Sequence, residues 1–184
     1  MTSLSPIERA ALLGIARTSV LAHLSGKPLP EIQAQGALAE TRGAFVTLHV
    51  EDELRGCVGT FTPTESLART VARMAVAAAS EDPRFPRIGP ADVPELHVAV
   101  SALGPLRPLA EPRAVRIGQD GLVVHRGWHR GALLPKVAVE HGWTAEEFLK
   151  HVCLKAGLPA RAWEEPGTEL ESFEAEEFGE EPAP

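Results

Sequence analysis

The chain has two thiols, and Cys57 is the one whose surroundings could do chemistry. It lies in Leu54-Arg55-Gly56-Cys57-Val58-Gly59-Thr60-Phe61, between two glycines and two residues after an arginine. The apolar run Phe45–Val50 precedes the stretch, and Thr62-Pro63-Thr64-Glu65 follows it as a capping-box pattern. The stretch is therefore expected to be a strand ending in a glycine-rich turn at a helix N-terminus. Backbone amides at such a place receive anions, and glycine lets the backbone approach a ligand. A thiol there, beside a cation, favours its nucleophilic thiolate. His49 is expected diagonally across a hairpin from Cys57, a candidate Cys–His pair. Arg55 and Arg84 are the candidate anion contacts, because an arginine fork matches carboxylate or phosphate. With Gly56, Gly59 and Thr60 they would line a ligand cleft around Cys57.

Each of these residues has a second reading in which it only holds the fold. Cys57 would be a small apolar residue where nothing larger fits between two glycines. Arg84, in Asp82-Pro83-Arg84-Phe85, would form a salt bridge with Asp82 that pins a loop. Gly56 and Gly59 lack the lysine of a P-loop and the third glycine of a dinucleotide turn, so a tight, closely packed turn is the safer reading. His49, His151, Cys57 and Cys153 are scattered, with no Cys-x-x-Cys or His-Glu-x-x-His spacing, so neither a metal nor a cofactor is expected. Cys153 reads as core. His125-Arg126-Gly127-Trp128-His129-Arg130 mixes base and aromatic and could contact RNA by stacking. The favoured reading there is an exposed hairpin tip with Trp128 packed inward.

The elements that must position these residues follow from periodicity. Ser5-Pro6-Ile7-Glu8 opens a helix whose apolar stripe runs through Ile7, Leu12, Ala16 and Val20. Strands 45–50 and 54–61 are expected to pair around Glu51-Asp52-Glu53. Val50 would face Leu54, and Val46 would face Val58. That register puts Val46, Leu48, Val50, Leu54 and Val58 on the buried face, and His49, Arg55, Thr47 and Cys57 on the other. A helix is expected over 62–79, a strand over 97–103, and a second hairpin joining 114–117 to 122–125. Pro135 begins a short helix, and the Thr144 capping box opens another that ends at Gly157. Leu170 and Phe173 mark a final edge strand.

Charge is unevenly distributed. Residues 164–184 hold nine glutamates and no lysine or arginine, whereas residues 1–163 carry 18 basic and 16 acidic side chains. So neutral a body is a poor nucleic-acid binder. The acidic end, residues 176–184, is expected to be a flexible tail whose removal after Ala175 leaves the melting temperature nearly unchanged. There is no apolar run of membrane-spanning length and no signal-peptide pattern. Two cysteines make no disulfide scaffold, so a reduced, cytoplasmic protein is expected.

The stretch Leu54–Phe61 resembles the Leu-Arg-Gly-Cys-Ile-Gly signature of the AMMECR family, whose prokaryotic members are called AmmeMemoRadiSam system protein A. Arg42–Leu48, Glu81-Asp82-Pro83-Arg84-Phe85, Gly131–Val137 and Lys155–Pro159 resemble its other landmarks. Two residues depart from the pattern: Val58 replaces isoleucine, and Lys136 stands where glutamine is usual. The periodicity argues for an α+β fold, an antiparallel sheet with packed helices. The resemblance implies the same, with a main lobe and a smaller one, here expected as a single domain over 1–175 whose small lobe falls within 45–82. It also implies association with a radical-SAM protein and a Memo-like protein. Two functions follow as expectations. One is an enzyme component that binds or acts on a small anionic ligand at Cys57. The other is a non-catalytic module that binds protein or RNA through the same groove.

Overall fold

A computed structural model describes residues 3–180 of the chain. The chain divides into two compact units, Met1–Leu103 with Glu176–Pro184, and Gly104–Ala175. Both are antiparallel strands with helices packed on them, the α+β architecture expected from the sequence.

In the first unit, helix α1 (Pro6–Leu24) begins at the expected capping box: the Ser5 hydroxyl accepts from the Glu8 N–H, and the Glu8 carboxylate accepts from the Ser5 N–H. Leu12, Ala16 and Val20 are fully buried, while Ile7, in the first turn, is 82% exposed. Strand β1 (Ala44–Val50) lies between β2 (Glu53–Thr60) and β3 (Leu96–Leu103). Its inward residues Val46 and Leu48, with Val98 and Val100 of β3, form one core with α1 and α2 (Leu67–Ser80). Full burial of a side chain such as Leu48 contributes about 1.5–3 kcal/mol. Helix α2 starts later than the Thr62 pattern suggests. Ser66 caps it by accepting from the Arg69 N–H, and the Leu67 N–H donates to the Glu40 carbonyl. The helix N-terminus thus falls well beyond Cys57, and Gly56 and Gly59 lie inside a strand, not in a turn.

The β1–β2 register matches expectation for Val46↔Val58, Thr47↔Cys57 and Leu48↔Gly56. A bulge then intervenes: His49 faces Leu54, Val50 faces Glu53, and Arg55 is the extra residue. The connection is a two-residue turn, not three, and Leu54 leaves the core face and is 39% exposed. Bulges of this kind break period-two alternation locally. The turn holds Glu51 at φ 54°, a left-handed conformation that a Cβ disfavours. Glu51→Gly is expected to raise unfolding stability by about 0.5–1 kcal/mol, read as a higher urea midpoint at unchanged slope. A lower midpoint would count against strain at that turn.

The second unit contains β4 (Arg107–Pro108), β5 (Asp120–Arg126), β6 (His129–Leu133), α3 (Pro135–Glu140) and α4 (Ala145–Lys155). Its hairpin joins β5 to β6 around Gly127-Trp128, not 114–117 to 122–125. Gly127, at φ 57°, makes that turn, and residues 114–117, expected as a strand, form none: Ala114 closes a short 3-10 turn that begins at Pro112. The Thr144 capping box opens α4 as expected, and Phe148, Leu149, Val152 and Cys153 are its buried face. Trp143 is stacked between the rings of His141 and His151, at 4.6 and 3.9 Å.

Strand β7 (Glu169–Gly179) belongs to both units. Its first residues pair with β4 and β5, so it is not the edge strand expected. Residues 176–179, placed by sequence in a flexible tail, continue the strand, while 181–184 lie outside the described residues. The reason is ion pairing that composition hides. The Glu176 carboxylate accepts from the Leu4 N–H at 3.0 Å, from Arg9 at 3.1 Å and from buried Arg42 at 3.3 Å. Glu180 takes Arg17 at 2.7 Å and the Val98 N–H at 2.9 Å. Nor do residues 45–82 form a small lobe: β1, β2 and α2 supply the first unit's core, and the smaller unit is Gly104–Ala175.

Candidate functional site

The site is built on the outer strand of the first unit. Because Cys57 faces Thr47 on β1, their side chains share one side of the sheet. The Thr47 hydroxyl donates to the Cys57 sulfur at 3.3 Å. The backbone of Cys57 points away from β1, as in a non-hydrogen-bonded pair, where side chains come closest. Its N–H donates to Asp82 Oδ2 at 2.9 Å, and its carbonyl accepts from Arg84 Nη2 at 3.1 Å. The loop after α2 therefore caps an edge that would otherwise present open hydrogen-bonding groups. The thiol itself is half-buried.

Asp82 and Arg84 form a two-pronged pair, with Arg84 Nε donating to Oδ1 at 2.9 Å and Nη2 to Oδ2 at 2.7 Å. The Asp82 side chain is 3% exposed and the Arg84 side chain 58%. Hydrogen bonding from the Arg84 side chain, joined by the Cys57 and Arg84 N–H groups, holds the Asp82 carboxyl well below the usual carboxylate range against the opposing effect of burial. The same contact with Asp82, with a smaller contribution from the Cys57 side chain, raises the Arg84 guanidinium above the ordinary arginine value. The loop-pinning salt bridge is thus present, and it also brings a cation against the thiol.

The other expected site residues are placed differently. Arg55, at the bulge, reaches Asp92 at 3.4 Å, and its buried Nε has no hydrogen-bond partner among the described residues. Gly56 opposes Leu48 on the core face, and a Cβ there would lie 2.1 Å from the Ala78 carbonyl oxygen of α2. Gly59 lies under the Phe45 ring, with the space for a Cβ already filled at 2.2 Å. Both glycines therefore answer to close packing. The Thr60 hydroxyl accepts from the Thr62 N–H at 3.2 Å, shaping the turn. His49 is on the Thr47 side of β1 but faces His97 and Leu54 across the sheet. Cys57, Thr47 and Arg84 come together, with Asp82 beneath them. The pairing of Thr47 with Cys57 was readable from the register. The grip of Asp82 on the Cys57 amide had no signal beyond the Asp-Pro turn.

Along the same side, Phe45 packs edge-on against Phe61 with centroids 5.0 Å apart. The arrangement offers a thiol with a hydroxyl donor, a guanidinium and an aromatic wall. Among the described residues, no three His, Cys, Asp or Glu side chains are grouped to hold a metal ion. No described helix is long and apolar enough to cross a membrane. Cys153 is fully buried, and that burial pushes its thiol up.

Residues 13–178 match the family model AMMECR1. The chain is 42% identical over 186 residues to a protein of Methanothermobacter thermautotrophicus, covering 96% of each. It is 43% identical over 180 residues to protein MK0488 of Methanopyrus kandleri, covering 92% of this chain and 87% of that one. Among solved structures it is similar to the uncharacterised protein PH0010 of Pyrococcus horikoshii, with a TM-score of 0.86 and 37% identity, covering 93% of this chain and 90% of that one.

Proposed function

The chain belongs to the AMMECR1 family, and on that premise we propose that it is an enzyme component that holds a small anionic ligand against Cys57. The observation that carries the reading is the exposed side of Arg84. Nε and Nη2 are occupied by Asp82 and the Cys57 carbonyl, and the guanidinium also interacts with the Cys57 side chain, yet the Arg84 side chain stays 58% exposed. Its solvent-facing N–H groups can donate to a carboxylate or phosphate oxygen arriving beside the thiol. Since Asp82 neutralises the guanidinium, attraction is by directed hydrogen bonds more than by net charge. Thr47 orients the sulfur, and the Phe45–Phe61 pair supplies an apolar wall. Arg55, turned to Asp92, is given no ligand contact, and His49 no proton to move. A radical-SAM protein and a Memo-like protein are the proposed partners, in a reducing compartment where both cysteines stay free.

The rival reading, a non-catalytic module binding protein or RNA through the same groove, draws support from Gly56 and Gly59, whose lack of a side chain close packing alone explains. Alkylation separates the two. Iodoacetamide is expected to modify Cys57 well before fully buried Cys153 in the native protein. Iodoacetate, which carries a carboxylate, should gain on iodoacetamide at Cys57 when the chain folds, and Arg84→Ala should abolish that gain. Protection of both thiols until denaturant is added would sink the ligand reading and leave the module reading standing.

A further inference from the structure

Trp128 is 103% exposed at the β5–β6 turn. Contrary to the inward packing expected from the sequence, nothing in its own unit covers it. An indole left wholly in water is out of place in a settled surface. Tryptophan is also the side chain most enriched among residues that dominate protein interfaces. Beside it stands Arg130, which makes no hydrogen bond or ion pair among the described residues. Arg126, on the other strand, is held by Glu165. The tip is thus an apolar knob with a free cation next to it.

The same unit carries a hole of matching chemistry. A cavity of ≈ 550 Å³ opens between the start of α4 and the segment after it, lined by Glu146, Glu147, Lys150, Ala160, Arg161 and Trp163. Its volume suits a bicyclic ring. Lys150 and Arg161 can meet the face of an incoming indole as cations, and Arg161 is already held in place by Glu164 at 2.7 and 2.9 Å. Glu146 makes no hydrogen bond or close ion pair among the described residues; it feels the charge of Arg161 across the cavity and is the rim carboxylate still able to take a cation.

We propose that this protein self-associates head to tail, Trp128 of one copy entering the α4 cavity of the next, with Arg130 against Glu146. The knob and the hole are different patches, so the contact is heterologous and not self-complementary. Nucleic acid is the competing occupant. Residues 104–175 carry nine Lys/Arg and ten Asp/Glu, and Glu165, Glu169 and Glu171 lie against Arg126 and His125. That acidity disfavours a phosphate backbone at the tip.

The test is sedimentation equilibrium over a dilution series of the full chain. Wild type should gain average mass with concentration. Trp128→Ala, which removes a side chain that supports no fold contact, should weaken association about 30-fold or more, with an unchanged circular dichroism spectrum. Glu146→Arg should do the same from the other side. Mixed, the two variants should form 1:1 heterodimers and stop there, because one keeps only the hole and the other only the knob. A wild type that is monomeric throughout, a Trp128→Ala variant that associates as before, or a mixture that stays monomeric would each overturn the proposal. So would a monomer whose tryptophan emission is quenched by a uridine oligonucleotide, which would give the tip to nucleic acid.

Discussion

Truncation after Ala175 is expected to destabilise the first unit by about 3 kcal/mol, the lower end of the cost of removing one partner from a buried ion pair. The principal loss is the contact between Arg42, 6% exposed, and Glu176, 13% exposed. Arg42 would keep the Leu103 carbonyl and the Glu40 carboxylate, 4.0 Å away, but lose its hydrogen bond to Glu176. Loss of the Glu180 contacts to Arg17 and the Val98 N–H, and of Phe178 from the core margin, adds to this. The Arg9 contact adds little, because Arg9 is 41% exposed and screened by water. Burial pushes the Glu176 carboxyl up, but the Leu4 N–H, Arg42 and Arg9 outweigh it and hold it below the ordinary value. A carboxyl lowered in this way stabilises the fold above its unfolded pKa and loses that contribution as pH falls through the folded one. Glu176→Ala in the full chain should therefore reproduce most of the loss at pH 7, and its gap from wild type should shrink in acid. A truncated chain with the wild-type melting temperature would show that the segment is dispensable.

This tail marks the limit of what the sequence disclosed. Nine glutamates in 21 residues read as solvation because composition carries no partners. The arginine partners of Glu176 and Glu180 lie more than 130 positions earlier, at Arg42, Arg9 and Arg17, and only tertiary structure brings them together. Local signals fared better. The Ser5 and Thr144 capping boxes are closed within four residues and appear as written. The same pattern at Thr62 failed because Ser66 and the Glu40 carbonyl together satisfy the first amides of α2. Alternation placed Cys57 and Thr47 on one side and Val46, Leu48 and Val58 on the other. It then missed Leu54, since a bulge inserts a residue that no pattern of apolar positions announces. An exposed hairpin tip with Trp128 packed inward is what the local pattern suggests; the tip is present, but its two-residue turn holds the indole in solvent. The glycines of the signature suggested room for a ligand; what fills that room is Ala78 of α2 and the ring of Phe45.

Asp82→Ala should be the most informative single substitution at the site. The carboxylate gathers four hydrogen bonds, from the Cys57 N–H, the Arg84 N–H and two guanidinium nitrogens. Its removal leaves the Cys57 amide without that partner on an outer strand and frees Arg84 from its position. The expected cost is about 2–4 kcal/mol, that of deleting a buried, charged acceptor. Arg84→Ala should cost less. Its side chain is 58% exposed, so its attraction is screened, and truncating it opens the carboxylate to water. Arg84 holds Asp82 well below the usual carboxylate range, so the stabilisation is complete above about pH 4 and is lost only as pH falls below that. The gap between wild type and Asp82→Ala should accordingly hold from pH 7 to about pH 5 and narrow toward pH 2. Because the bracket grips the backbone of Cys57 and not its sulfur, the variant should also report on the thiol. With the edge of β2 released, alkylation of Cys57 by iodoacetamide should quicken, while the advantage of iodoacetate is lost. Unchanged stability together with unchanged alkylation would mean that the Asp82–Arg84 loop neither anchors β2 nor presents Arg84 to a ligand, and the proposed site would lose its cation.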